Sequence, residues 1–119
     1  IVYLSHGGNN QRFDVWKTSS GYYVFFVKHS GIVLDVPQST SNDVQIIQYT
    51  YYATDNQQWS LEPYKGDWVF IKNKCSGKVL DIKGGSWENC AQVIQYPKKS
   101  SNVDNQLWSL VKIEEPPED

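Results

Sequence analysis

No apolar stretch in this chain is long enough to cross a bilayer as a helix; the run Tyr22-Tyr23-Val24-Phe25-Phe26-Val27 stops at Lys28. Charge argues against nucleic acid as a partner. There are 11 Lys and Arg against 13 Asp and Glu, a net −2, with no basic stripe to track a phosphate backbone. Histidine is almost absent: His6 and His29 lie near no cysteine or second histidine at ligand spacing, and no Gly-x-Ser-x-Gly or HExxH element occurs. A metal ion, a cofactor and a catalytic nucleophile are therefore not expected. Cysteine is scarce too, and Cys75 and Cys90 form no CxxC pair. Methionine is missing altogether and the chain opens at Ile1, so residues upstream, in a longer polypeptide, are expected.

What is present is repetition. Asp55-Asn56-Gln57-Gln58-Trp59-Ser60-Leu61 returns as Asp104-Asn105-Gln106-Leu107-Trp108-Ser109-Leu110, and Asn10-Gln11-Arg12-Phe13 is a weaker copy. Gln57 follows Gln11 by 46 positions and Gln106 follows Gln57 by 49, a period at which each unit is a few short strands sharing one core with its neighbours. With 119 residues, 39% of them apolar, the chain can build one core, hence one domain. Strands are expected at 22–27, 32–36, 44–49 and 58–61, and again at 68–72, 78–82, 92–96 and 107–112. These runs are rich in β-branched and aromatic residues, with Gly-, Pro- and Asn-bearing turns between them. Four strands per unit around a pseudo-threefold axis make an all-β fold, a β-trefoil. Ile1-Val2-Tyr3 aligns with Ile47-Gln48-Tyr49, which places the chain start inside the third strand of an incomplete first repeat. The expected domain is 1–113, with repeats at 1–20, 21–64 and 65–113, followed by an acidic tail or linker at 114–119.

A repeated Gln-x-aromatic element followed by alternating polar and apolar residues resembles the ricin-type lectin domain. In the second repeat Val33-Leu34-Asp35-Val36 looks like the strand end bearing that family's essential aspartate, Ile47-Gln48-Tyr49 like its aromatic strand, and Asn56-Gln57 like its closing amide pair. In the third repeat the same roles fall on Val79-Leu80-Asp81-Ile82, Ile94-Gln95-Tyr96 and Asn105-Gln106. The resemblance therefore implies two sugar sites: Asp35, Ile47, Tyr49, Asn56 and Gln57 in one, and Asp81, Ile94, Tyr96, Asn105 and Gln106 in the other. The chemistry suits a pyranose, whose hydroxyls need a charged acceptor and whose C–H patch needs a flat apolar face. The carboxylates would accept hydroxyls, the asparagines would donate and accept, and the tyrosines would lie under the ring. Gln57 and Gln106 would hold the aspartate and its loop, while Trp59 and Trp108 turn into the core.

The family resemblance points to galactose or N-acetylgalactosamine glycans as partners, a non-catalytic role, and a secreted or extracellular location. In the first repeat Tyr3, Asn10 and Gln11 stand in line, but no aspartate precedes them and Phe13 replaces the tryptophan. The strands lacking there would come from the upstream part of the same protein or from another chain, such as a catalytic or toxin subunit. Many ricin-type repeats carry a disulfide, but Cys75 in a turn and Cys90 at a strand start depart from its spacing, so two unpaired thiols are favoured. Asp35 and Asp81 belong to different repeats, unlike the close carboxylate pair of glycoside hydrolysis. The rival reading is a trefoil interaction or protease-inhibitor module that uses the repeats only as scaffold.

Overall fold

The computed structural model describes residues 2–5, 10–27, 31–37, 41–83 and 93–112. Ten strands lie among them: β1 Val2–Ser5, β2 Asn10–Lys17, β3 Tyr23–Val27, β4 Ile32–Asp35, β5 Ile47–Thr50, β6 Trp59–Lys65, β7 Trp68–Asn73, β8 Val79–Ile82, β9 Val93–Tyr96 and β10 Trp108–Lys112. The helical pieces among the described residues are single 3-10 turns, including Asp55–Gln57 and Asp104–Gln106. All strand pairs are antiparallel, and six strands close a ring in the order β1, β2, β3, β6, β7, β10 and back to β1. Two hairpins, β4–β5 and β8–β9, branch from it through Phe26↔Val33 and Lys72↔Val79. This is the β-trefoil plan, and the described residues hold two cap hairpins.

The core is made of the same positions used again in each repeat. Phe13, Trp59 and Trp108 fill it from β2, β6 and β10; Phe25 and Ile71, Leu34 and Leu80, and Val36 and Ile82 complete it as equivalent pairs. Side chains alternate along a strand, so every second residue of these short segments points inward, and no unit covers its apolar face alone. The tryptophans are buried without an orphaned donor: Trp59 Nε1 donates to Leu34 O at 3.4 Å and Trp108 Nε1 to Leu80 O at 3.2 Å. Deleting such a side chain costs about 3–5 kcal/mol, so these residues hold barrel to hairpin.

Two expectations need correction. Val2–Ser5 does not occupy the place of β5; it pairs with β10 on one side and β2 on the other, the position that β3 and β7 hold in their repeats. The reason is closure of the ring: β2 and β10 would each keep an open edge without a strand between them. Tyr3, paired with Arg12 and Val111, is therefore not the counterpart of Tyr49. Only residues 6–9 join β1 to β2, whereas residues 28–58 join β3 to β6 and carry a hairpin. The second correction is that β5 starts at Ile47 and not at residue 44. Residues 44–46 instead reach the neighbouring hairpin, where Ile46 N donates to Val93 O, Gln95 N donates to Val44 O, and Gln45 bridges Ile94. Cys75 is an exposed, unbridged thiol; Cys90 and the tail 114–119 lie outside the described residues.

Candidate functional site

Asp35 ends β4, directly opposite Ile47 on β5, and is only 4% exposed. A carboxylate so buried needs donors, and the 3-10 turn supplies them. Asn56 Nδ2 donates to Asp35 Oδ1 at 3.2 Å and to Val36 O at 2.9 Å, and Gln57 Nε2 donates to Asp35 Oδ2 at 2.8 Å. Each carboxylate oxygen accepts one of these bonds and keeps acceptor capacity for a hydroxyl. Gln57 also ties down the next loop: its Nε2 donates to Thr50 O and its Oε1 accepts from Tyr52 N, both at 2.8 Å. The end of β5 and that loop carry the aromatic wall. Tyr49 and Tyr52 are 52% and 64% exposed, with ring centres 6.0 Å apart. With Asp35, Pro37, Ile47, Thr54, Asn56 and Gln57 they line a surface cavity of about 420 Å³.

All five residues expected in this site come together around that cavity. Pro37, Tyr52 and Thr54 were not anticipated. The nearest signal for Tyr52 was a second aromatic three positions after Tyr49, but its placement depends on a main-chain bond to Gln57 that a sequence does not display.

The third repeat copies the frame closely. Asn105 Nδ2 donates to Asp81 Oδ1 at 3.1 Å and to Ile82 O at 3.2 Å; Gln106 Nε2 donates to Asp81 Oδ2 at 2.9 Å and to Pro97 O at 3.0 Å; Lys99 N donates to Gln106 Oε1 at 3.0 Å. Even the loop backbone repeats, with Ala53 and Asn102 both in the left-handed region before the turn, at φ +60° and +53°. The rim differs. Lys99 stands where Tyr52 does and sends its Nζ to Asn105 Oδ1 at 2.6 Å, while exposed Lys83 replaces Pro37. Tyr96 is half-buried, and Ile94 is fully buried beneath the segment that bridges to it, unlike the cavity-lining Ile47. Burial pushes the Asp81 carboxyl above its ordinary value, against the opposing pull of the Gln106 hydrogen bond, the Lys99 charge and the Asn105 hydrogen bond; the Asp43 charge adds to the rise. Among the described residues no group of three or more His, Cys, Asp or Glu could hold a metal ion.

Comparison with known proteins fits this geometry. The family described as ricin-type beta-trefoil lectin domain-like matches residues 9–96 and, overlapping them, 55–116. Mucoricin from Rhizopus delemar is 43% identical over 44 residues, which are 37% of this chain and 30% of that protein. The crystal structure of ThreeFoil, a designed threefold-symmetric protein, superposes with a TM-score of 0.81 at 40% identity, over 90% of this chain and 76% of that one. The exo-β-1,3-galactanase 1,3Gal43A from Clostridium thermocellum superposes with a TM-score of 0.78 at 26% identity, over 85% of this chain and 22% of the enzyme. The chain thus spans less than a third of mucoricin and of the galactanase.

Proposed function

Since the chain belongs to the ricin-type β-trefoil lectin domain-like family, a carbohydrate-binding class, we propose that it is a non-catalytic lectin for galactose- or N-acetylgalactosamine-type glycans. One observation carries the reading. A buried aspartate with spare acceptor capacity sits at the base of an open cavity with tyrosines on its rim, and the same Asp-Asn-Gln bonding recurs in the next repeat. Two such frames are more than a turn former needs. The proposed sites are Asp35, Ile47, Tyr49, Asn56 and Gln57, and Asp81, Tyr96, Asn105 and Gln106, with buried Ile94 packing behind the second. Sugar hydroxyls bond the carboxylate and the asparagine, at about 1.5–3 kcal/mol for each hydrogen bond to the charged group, while the C–H face packs on tyrosine. The glutamines hold the aspartate in place.

The similarity to part of an exo-β-1,3-galactanase supports a galactose-type ligand. The short share of longer relatives that the chain spans supports a recognition module working beside another activity. Among the described residues no helix is long and apolar enough to cross a membrane. A glycan array tests the reading, with Tyr49→Ala and Tyr96→Ala as controls. Galactose-terminated glycans should be retained, displaced by free galactose, and bound more weakly by each variant. Retention that free galactose leaves untouched would sink the proposal.

A further inference from the structure

A second aromatic surface lies beyond the Asp35 cavity. Trp16 on β2 and Phe26 on β3 have ring centres 5.0 Å apart, and Phe26 lies 5.1 Å from Tyr51, which follows β5. Trp16 is 64% exposed, a large apolar side chain left in water, whereas Phe13, Trp59 and Trp108 are buried.

The strand registers place this surface on the same face as the cavity. Asp35 pairs with Ile47 and Val33 with Tyr49, while Phe26 pairs with Val33, so their side chains share one side of the sheet. Tyr51 continues that alternation two positions after Tyr49. Trp16, opposite Val24, is the diagonal neighbour of Phe26. An aromatic ridge therefore leads from the cavity wall at Tyr49 through Tyr51 and Phe26 to Trp16.

The next repeat shows what the fold requires at these positions. Asp14↔Phe26 and Val15↔Phe25 on β2–β3 match Ser60↔Lys72 and Leu61↔Ile71 on β6–β7, so Trp16 and Phe26 correspond to Glu62 and Lys72. Tyr51 and Lys98 each precede the residue whose N–H bonds the site glutamine. Those counterparts form an ion cluster, Lys72 to Glu62 at 3.2 Å and Lys98 to Glu62 at 2.8 Å. A solvated charge trio satisfies the scaffold there. The aromatic trio is thus not demanded by the fold, and among the described residues it lies beside the cavity with the aromatic rim.

We infer that the Trp16–Phe26–Tyr51 ridge is a second carbohydrate subsite, which takes the sugar units following the one held at Asp35. Pyranose C–H faces stack on indole and phenol rings, here the exposed Trp16 and the half-buried Tyr51, and Asp14, opposite Phe26 on the same face, adds an acceptor for a sugar hydroxyl beside them. The inference rests on the sugar-binding reading of the Asp35 cavity. Its ligand is one extended neutral oligosaccharide spanning cavity and ridge.

The experiment titrates galactose and a β-linked galactotetraose into the wild type, Trp16→Ala and Tyr49→Ala, following affinity and the tryptophan indole N–H resonances. Trp16 is exposed, so its removal should leave the fold intact. In the wild type the tetraose should bind about tenfold tighter than galactose, the equivalent of one aromatic contact. The Trp16 indole should shift with the tetraose and not with galactose. Trp16→Ala should abolish the gain without changing galactose affinity, and Tyr49→Ala should weaken both sugars. A length-dependent gain that survives in Trp16→Ala, or no gain at all, overturns the ridge while the Asp35 site stands. Failure of both sugars to bind the wild type overturns the site reading and the ridge with it.

Discussion

A carboxylate nearly sealed from water but ringed by amide donors is pulled both ways, and at Asp81 desolvation wins. Its folded pKa lies above the ordinary 3.8, so the folded state holds that proton more tightly than the unfolded chain does. The stabilising contribution is full below the unfolded value and is lost as pH rises through the raised folded value. Function runs the other way, because a sugar hydroxyl needs the ionised acceptor. Binding at the third-repeat site should therefore fade, as pH falls, while ordinary aspartates are still ionised. A carbon NMR titration of the Asp81 carboxyl should show a midpoint above 3.8, and sugar binding should fade with it. The Asp-Asn-Gln sets were legible in the sequence because they occur twice. The rim was not: whether Tyr52 or Lys99 overlooks the site depends on a backbone N–H bonded to a glutamine, which no spacing rule reveals.

At the scale of the element, each site turn depends on the structure beside it. The turn Asp55–Gln57 of the second repeat is braced by the third: Asn73 Nδ2 donates to Asn56 O, Lys74 N donates to Gln58 O, and Asn73 Oδ1 accepts from Cys75 N and Ser76 N. Asn73 is buried and its side chain makes three of these bonds, so Asn73→Ala should cost about 1–3 kcal/mol. Urea unfolding should show a lowered midpoint at unchanged slope; a midpoint within error of wild type would remove the brace from the account. Strand positions followed from β-branched and aromatic runs, since alternation is local. Two pairings did not. Residues 44–46 carry strand-like side chains but find their partner in β9, and Val2–Ser5 resembles β5 in letters while lying beside β10 and β2. Pairing is a long-range choice set by which edge is open.

For the whole molecule, the closed six-strand ring makes the two frames parts of one rigid core while setting them on different hairpins. One carboxylate, one amide and one aromatic bury little surface, so a monosaccharide should bind at millimolar to high-micromolar strength, roughly −4 to −6 kcal/mol. Avidity should then come from engaging both proposed sites on a multivalent glycan. The two proposed sites are not identical, since Lys83 and Lys99 stand at one where Pro37 and Tyr52 line the other. Titrating this difference needs variants that spare the frame. Asp35→Ala would leave the buried Asn56 and Gln57 donors without the carboxylate, at about 1–3 kcal/mol each, whereas Tyr49 would take part through an exposed ring.

Isothermal calorimetry with lactose on the wild type, Tyr49→Ala, Tyr96→Ala and the double variant tests the two-site claim most directly, with circular dichroism confirming the fold of each. The wild type should show two sites, each single variant one high-micromolar to millimolar site, and the double variant none. Undiminished binding in the double variant, or a single site in the wild type, would contradict that claim.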